Sequence, residues 1–467
     1  MSFVEQILYH GKINPEKPAI MLAKNSVTFE LLSSGIRSAC AAFSEMGLDQ
    51  LGIVAVKADD PIIHMTISLA LYRMGIVSIS VNGKERPFND VLKIAATITD
   101  RSGLSDQYGQ QVPIKIDWFT RTTEINQVFN GFSSEQLSRI TMSSGTTSVQ
   151  KAVGHTARAM DDRIAAGYRS LSGAAWDRMM CLTALHSSTG FGRMSQALSY
   201  GHTVMFADSA ANALRMIATH NADLLVANPR HLRAMVDAHR IHPIQLTSLK
   251  MVKYGGDAIA PDLAAEVKQR FCSNLLCVYS STESGPMLYG PYDSAMVKSG
   301  AIGYLAPWVQ SDVLDQDGVV LPRGSRGMLR VRTPWQGYDL SIGPDAVKDG
   351  ILTGDIAEIS KDGMLSHFGR TADAIPVGST YVIPVQVEDA LYSYPGVHDC
   401  AAVSIDGSIC LAMVADDTVD TEDVKQHLIS INDLWAVANI YKVDAIPRND
   451  MGKIVRKQVI DLLSALT

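Results

Sequence analysis

The sequence predicts an α/β protein in two parts, with a large N-terminal α/β domain of several subdomains over residues 1–369 and a small, mobile α+β domain over 370–467. Three observations lead to that fold class. Helical and strand-like segments alternate over about 28–130 and again over 203–226, the pattern of layered sheets and helices. The tail changes character, with two short strands set about an Asp-Gly pair. And 467 residues are too many for one hydrophobic core.

The elements follow in order. Thr28 is placed to cap a helix through Leu31, Ile36 and Ala41 that ends near Gly47. Residues 52–56 read as a strand, 61–74 as a helix stopped by Gly75, and 76–81 as the next strand. A further short strand is expected over 137–142. The alternation returns with a strand at 203–206, a helix over 211–220 and a strand at 223–226. In the tail, strands at 400–405 and 408–414 flank Asp406-Gly407, a strong two-residue hairpin signal. A helix from about Thr421 and a strand near 441–446 complete the small part. No repeat or low-complexity linker separates the two parts, so the junction near Gly369-Arg370 predicts a hinge, not a tether.

Composition narrows the function classes. Hydrophobic content of 46% and charged content of 19% are those of a globular protein, and a net charge of −7 without long basic runs argues against a nucleic-acid partner or an anionic membrane surface. Residues 62–81, the most apolar stretch, are broken by His64 and Arg73 and fall short of a membrane span. The six cysteines (Cys40, Cys181, Cys272, Cys277, Cys400, Cys410) form no Cys-x-x-Cys pair and no zinc set, which fits a reducing cytoplasm. The first residues include Glu5 and lack a basic-then-apolar pattern, so no secretory leader is expected.

The chemistry is carried first by Ser143-Ser144-Gly145-Thr146-Thr147-Ser148-Val149-Gln150-Lys151, directly after the expected strand at 137–142. Crowded hydroxyls, free amides and one cation suit a polyphosphate, although polar turns of this composition are common. A Walker loop needs a second glycine and a magnesium-binding hydroxyl, and here Gln150 and Ala152 stand in those places.

With His155 after it, Ser144-Gly145-Thr146-Thr147…Lys151 resembles the signature loop of the adenylate-forming enzymes: acyl- and aryl-CoA synthetases, luciferases and peptide-synthetase adenylation domains. Further motifs follow in the family's order. Tyr279-Ser280-Ser281-Thr282-Glu283 is similar to its adenine motif, Thr353-Gly354-Asp355 to its ribose motif, and Gly369-Arg370-Thr371-Ala372-Asp373 to its hinge. Pro447-Arg448 with Gly452-Lys453-Ile454-Val455-Arg456 is similar to the segment bearing its adenylation lysine. Weaker echoes lie at Thr28-Phe29-Glu30-Leu31, Gly255-Gly256-Asp257 and Pro384 through Glu388-Asp389-Ala390-Leu391. Each motif alone has an ordinary reading as a turn, a cap or a surface acid; five in order do not.

The resemblance implies an ATP- and Mg²⁺-dependent ligase that makes an acyl-adenylate and passes the acyl group to the thiol of coenzyme A. The thiol of a carrier protein's phosphopantetheine, or nucleotide binding without turnover, remains as an alternative. It implies roles for Lys453 and Thr282 in adenylation, for Glu283 in adenylation and as the metal ligand, and for Ser143, Ser144, Gly145, Thr146, Thr147, Lys151, Tyr279, Asp355 and Arg370 in holding ATP. For the acid it implies His186, Gly190, Gly255, Gly256 and Ser281, and a histidine at 186 disfavours an amino-acid substrate. Ser187 to Gly190 suit a small, aromatic, hydroxylated or fatty acid. Ser148, Gln150, Ala152, Ser280, Ala372, Pro376 and Ser379 depart from the family pattern, the last three near the hinge and thiol path. The identity of the acid, the acceptor thiol and the oligomeric state, monomer or homodimer, stay open.

Overall fold

The computed structural model describes all residues except 84, 86–90, 121–130, 144–150, 170–174, 294–299, 378–379, 393, 450–452 and 467. Ser144, Gly145, Thr146, Thr147, Ser379 and Gly452 therefore lie outside the described residues.

Among the described residues the strands assemble into two large sheets, a five-stranded antiparallel sheet and two small sheets in the tail. The first large sheet has eight strands in the order Gly285–Pro291, Leu275–Ser281, Met251–Gly255, Leu224–Ala227, Arg178–Cys181, Thr203–Met205, Pro18–Met21 and Ser26–Thr28. Its two edge strands run antiparallel and the six between them run parallel. The second has seven strands, with Leu137–Met142 paired antiparallel to Ala152–Thr156.

Helices Phe3–Ile13, Phe29–Glu45, Pro61–Met74 and Ser188–Ser199 fill the space between the two sheets. Their buried side chains join Val54 and Ile98 of one sheet to Met179 and Val204 of the other in a single core. A second core packs Ala210–His220, Pro229–Ile241 and Pro261–Arg270 on the far face of the eight-stranded sheet. That layering buries parallel strands on both faces, as their near-continuous apolar sequences require.

Local chemistry explains the boundaries. The Thr28 hydroxyl accepts from the Leu31 N–H at 3.2 Å, and Asp60 accepts from Ile62 and Ile63 to start the next helix. Gly75, at φ +79°, ends that helix in a left-handed turn. The expected hairpin turns at Asp406 (φ 50°) and Gly407 (φ 77°) between Val397–Ile405 and Ser408–Ala415. The strand expected over 441–446 lies at Val437–Lys442, which pairs in parallel with Ser408–Ala415. The one expected over 76–81 is shorter, Ser78–Ser80.

In the tail, helices Pro384–Tyr392, Thr421–Ile431 and Arg456–Ser464 pack on the Val397–Ile405 sheet around a separate core. The five-stranded sheet reaches the tail through Met364–Arg370 and a turn at Thr371–Asp373. Gly369, at φ +121°, lies so close to the tail that a Cβ there would meet Ile383 Cγ2 at 2.3 Å. Within the tail Arg456 donates to Glu388 Oε1 at 2.6 Å and faces Asp373 of the turn at 3.5 Å. The sequence echo at Glu388 is thereby a structural tie between the last helix and the junction.

Candidate active site

The strands Met251–Gly255 and Leu275–Ser281 end side by side, with Gly255 opposite Val278, at the carboxyl edge where α/β sheets present ligands. Alternation along Leu275–Ser281 sends Val278 and Ser280 into a cleft and Tyr279 to the other side, against the five-stranded sheet.

There the Tyr279 hydroxyl donates to Asp355, whose carboxylate also meets Arg370 Nε at 3.3 Å and His367 Nε2 at 3.5 Å. Burial pushes the Asp355 carboxyl up, but His367, Arg370 and the tyrosine hydroxyl outweigh it and hold the group at about 2. Gly354, just before Asp355 in the strand Ile351–Ile359, takes φ +77°, which favours glycine, and the Thr371 hydroxyl donates to its carbonyl at 3.1 Å. Tyr279, Asp355 and Arg370 are thus brought together, with His367 as a fourth member that no motif had marked.

Lys453 comes to the same place from the tail. Its backbone exchanges hydrogen bonds with Asn449, and the Val455 N–H donates to the Pro447 carbonyl at 2.9 Å. These bonds fix the backbone of Lys453 between Asn449 and Val455. Desolvation and the nearby Arg370 lower the Lys453 ammonium, while Asp257, Asp355 and Asp373 pull it back up. Arg448 reaches across to Asp257 at 3.7 Å. The catalytic candidate from the small part therefore faces the nucleotide candidates of the large one.

Thr282 and Glu283 lie in the turn after Leu275–Ser281, and Arg163 donates to the Thr282 carbonyl at 3.0 Å. The Glu283 backbone carbonyl accepts from the Gly337 N–H at 2.8 Å. Among the described residues no cluster of three or more His, Cys, Asp or Glu could hold a metal on its own. A single carboxylate suits Mg²⁺ that arrives on phosphates, since that ion keeps few protein ligands.

At the loop, the Ser143 N–H donates to the Lys151 carbonyl at 2.8 Å and the Lys151 N–H to Ser143 Oγ at 3.0 Å. These bonds close the neck of the hairpin, and Lys151 is exposed. His155, from the same motif, is buried with neither ring nitrogen bonded to a described partner.

The acid-binding candidates divide. Gly255 and Gly256 line the cleft. A Cβ at Gly255 would also meet the Val278 carbonyl oxygen at 2.7 Å, so this glycine serves strand pairing as well. His186 and Gly190 are not among its walls, and Ser188, Thr189 and Gly192 take that place. Gly190 packs tightly, since a Cβ there would meet the Ala184 carbonyl oxygen at 2.0 Å. His186 lies near enough to His64 to lower its basicity. The Ser281 hydroxyl is taken up by the Ser284 N–H at 2.9 Å, which closes the turn. Each of the three lies within two residues of a lining residue, Ser188, Thr189 or Ser280, and is not itself among them.

The residues the motifs missed are Arg163, Arg193 and Lys253, all lining the cleft. One signal was available, because Lys253 interrupts the apolar strand Met251-Val252-Lys253-Tyr254. A lysine in the middle of a buried parallel strand is rare without a purpose.

Comparison with known proteins agrees with this geometry. The family model "AMP-binding enzyme" matches residues 90–338. The curated relative 4-coumarate–CoA ligase-like 6 of Oryza sativa subsp. japonica is 31% identical over 58% of this chain and 48% of that protein. The chain thus spans about half the length of that relative. Two others are matched nearly throughout: 4-coumarate–CoA ligase-like 2 of Arabidopsis thaliana is 24% identical over 94% of this chain and 86% of that protein. The 2-succinylbenzoate–CoA ligase of Bacillus cereus is 23% identical over 98% of each. Among solved structures, ATP-bound MatB from Rhodopseudomonas palustris superposes with a TM-score of 0.87 at 20% identity, over 99% of both chains. MenE from Bacillus subtilis in complex with AMP gives a TM-score of 0.85 at 18% identity, over 97% of both.

Proposed function

The chain belongs to the AMP-binding enzyme family, and from that premise we propose that it activates a carboxylic acid as its acyl-adenylate, releasing pyrophosphate, and then transfers the acyl group to the thiol of coenzyme A. The observation that carries this reading is the meeting of Tyr279, Asp355 and Arg370, with Lys453 near enough to feel the charges of Arg370, Asp257 and Asp355. Attack of a carboxylate on the α-phosphorus of ATP brings two anions together, so the work is charge neutralisation and alignment. The Lys453 ammonium supplies the bridge between them. Asp355, ionised throughout the physiological range, accepts hydrogen bonds from the ribose hydroxyls and fixes the line of attack. Tyr279 offers its ring to adenine, and Arg370 the second cation.

Ser143 to Lys151 hold the phosphates that leave as pyrophosphate. Mg²⁺, bound through the phosphates and Glu283, would draw charge from them. In the second step the small domain rotates about Thr371–Asp373 and carries Lys453 away, which admits the thiol. The six cysteines are free, in keeping with a protein of the reducing cytoplasm.

The test is pyrophosphate release across a panel of acids with wild type and Lys453→Ala. Lys453-dependent release establishes adenylation; its absence with every acid leaves a nucleotide-binding protein without turnover. Pre-made acyl-adenylate offered to coenzyme A or to a phosphopantetheinylated carrier then reads the acceptor. Transfer to the carrier alone would replace the coenzyme A assignment.

A further inference from the structure

The cleft below the Gly255–Gly256 mouth carries three cations on three different elements. Arg163 comes from helix Ala157–Arg169, Arg193 from helix Ser188–Ser199, and Lys253 from strand Met251–Gly255. No aspartate or glutamate is among the described residues that line it. The two arginines are braced by neutral groups. Arg193 donates to Gln196 Oε1 at 3.1 Å and to the Tyr289 hydroxyl at 2.7 Å, and Arg163 to Ser188 Oγ at 2.6 Å.

Lys253 is 1% exposed, and its Nζ, 4.8 Å from the Tyr289 ring centroid, has no hydrogen-bond partner among the described residues. Gln196 is 2% exposed and its Nε2 is likewise unpartnered, while its Oε1 is taken by Arg193. Two buried donors without an acceptor, in a cleft with surplus positive charge, cost stability unless a ligand completes them. A neutral or fatty acid would leave both unmet.

Position separates this end from the reacting end. The carboxylate to be adenylated sits at the mouth, where Gly255 and Gly256 face the nucleotide groups. Lys253 lies two residues back along the strand, roughly 6.5 Å deeper at 3.3 Å per residue. We propose that this cleft selects acids bearing a second anionic group, carboxylate or sulfonate, at the end remote from the reacting carboxyl, with Lys253 and Arg193 as its counter-ions and Gln196 as a further donor. The assignment names the substrate class of the adenylating site proposed above and rests on that reading.

Burial and Arg193 hold the Lys253 amine well below its ordinary basicity. Arg193, Arg163, Tyr254 and Tyr289 lie around it, and the one carboxylate that acts on these arginines, Glu283 on Arg163, is not among the residues that line the cleft. An entering anion offsets that cost and favours the charged form of the amine.

The experiment measures kcat/KM for pyrophosphate release with matched pairs: straight-chain acids against their ω-carboxylates and ω-sulfonates of equal length, and benzoate against terephthalate. Wild type is expected to favour the member with the second anion, and whether carboxylate or sulfonate wins identifies the head group. Lys253→Met should lower kcat/KM for that member about 100-fold, mainly through KM, and leave the monoanionic partner within a few-fold. Gln196→Met should act in the same direction and more weakly. A wild-type preference for the monoanion, or an equal loss for both members, overturns the proposal.

Calorimetric titration of the favoured diacid into Lys453→Ala, in two buffers of different ionisation enthalpy, keeps the two readings distinct. Proton uptake that Lys253→Met abolishes supports the cleft assignment even where no acid is turned over. Diacid binding that Lys253→Met leaves unchanged in affinity overturns it while adenylation stands.

Discussion

At the nucleotide end of the site Asp355 meets Arg370 and His367, and Lys453 stands among three aspartates; at the floor of the acid cleft Lys253 meets a tyrosine ring and no carboxylate. The contrast follows from what each end must hold. ATP is the same for every member of the family, so its groups are pre-arranged in balanced pairs that cost little to keep. The acid differs from enzyme to enzyme, and a cleft that leaves a cation unbalanced shifts the missing charge onto the ligand. Balance thus marks the shared chemistry, and imbalance marks selectivity.

The sharpest way to break this contrast is at Lys453. Lys453→Ala should cut adenylation about 100- to 1000-fold, read as pyrophosphate release, while pre-made acyl-adenylate still reaches the thiol. Equal loss in both half-reactions would remove the division of labour. Next comes Asp355→Ala, expected to raise KM for ATP about 10- to 100-fold with little change in KM for the acid. Because the folded carboxyl is held near 2, below its unfolded value near 4, its stabilisation is fully present above pH 4 and fades as pH falls toward 2. Denaturant midpoints of wild type and Asp355→Asn should therefore converge only below pH 4.

At the floor the sign reverses. Lys253→Met, which replaces a buried amine without a partner by an apolar chain of similar length, should raise the melting temperature by a few degrees in the absence of acid. An unchanged or lower value would mean that the amine has a partner in solution. The smallest effect is expected at Asp257→Asn, which removes the 3.7 Å contact with Arg448 between the two parts. This half-exposed pair is worth about 1 kcal/mol or less, so adenylation should slow by no more than about 5-fold, and less in high salt.

Much of the fold was legible because local signals were strong. Thr28 and Asp60 cap helices, Gly75 stops one, and Asp406-Gly407 turns a hairpin. The strand misplaced at 441–446 shows the limit of such signals. Val437–Lys442 buries only Val437 fully, and its pairing with a distant strand, not its apolarity, makes it a strand.

At the site, short motifs pointed to Tyr279, Asp355, Arg370 and Lys453, and the fold brings these four together. His367 escaped because its role depends on a neighbouring strand's register, in which Asp355 lies opposite Arg370. Gly190 has a packing reason of its own, the close approach of the Ala184 carbonyl, which a sequence reading does not separate from a binding role. Arg163 and Arg193 were hidden among ordinary helix residues, and only folding places them beside Lys253.

Hydrogen bonding between Met251–Gly255 and Leu275–Ser281 has one more consequence. Lys253 pairs with Leu276 and Gly255 with Val278, so the spacing between floor and mouth is set by backbone that neither stretches nor slides. A flexible loop could follow acids of many sizes, whereas a pair of strands acts as a ruler. Activity plotted against chain length should peak at one spacing of the two anions and fall on both sides, so the site reads length as well as charge.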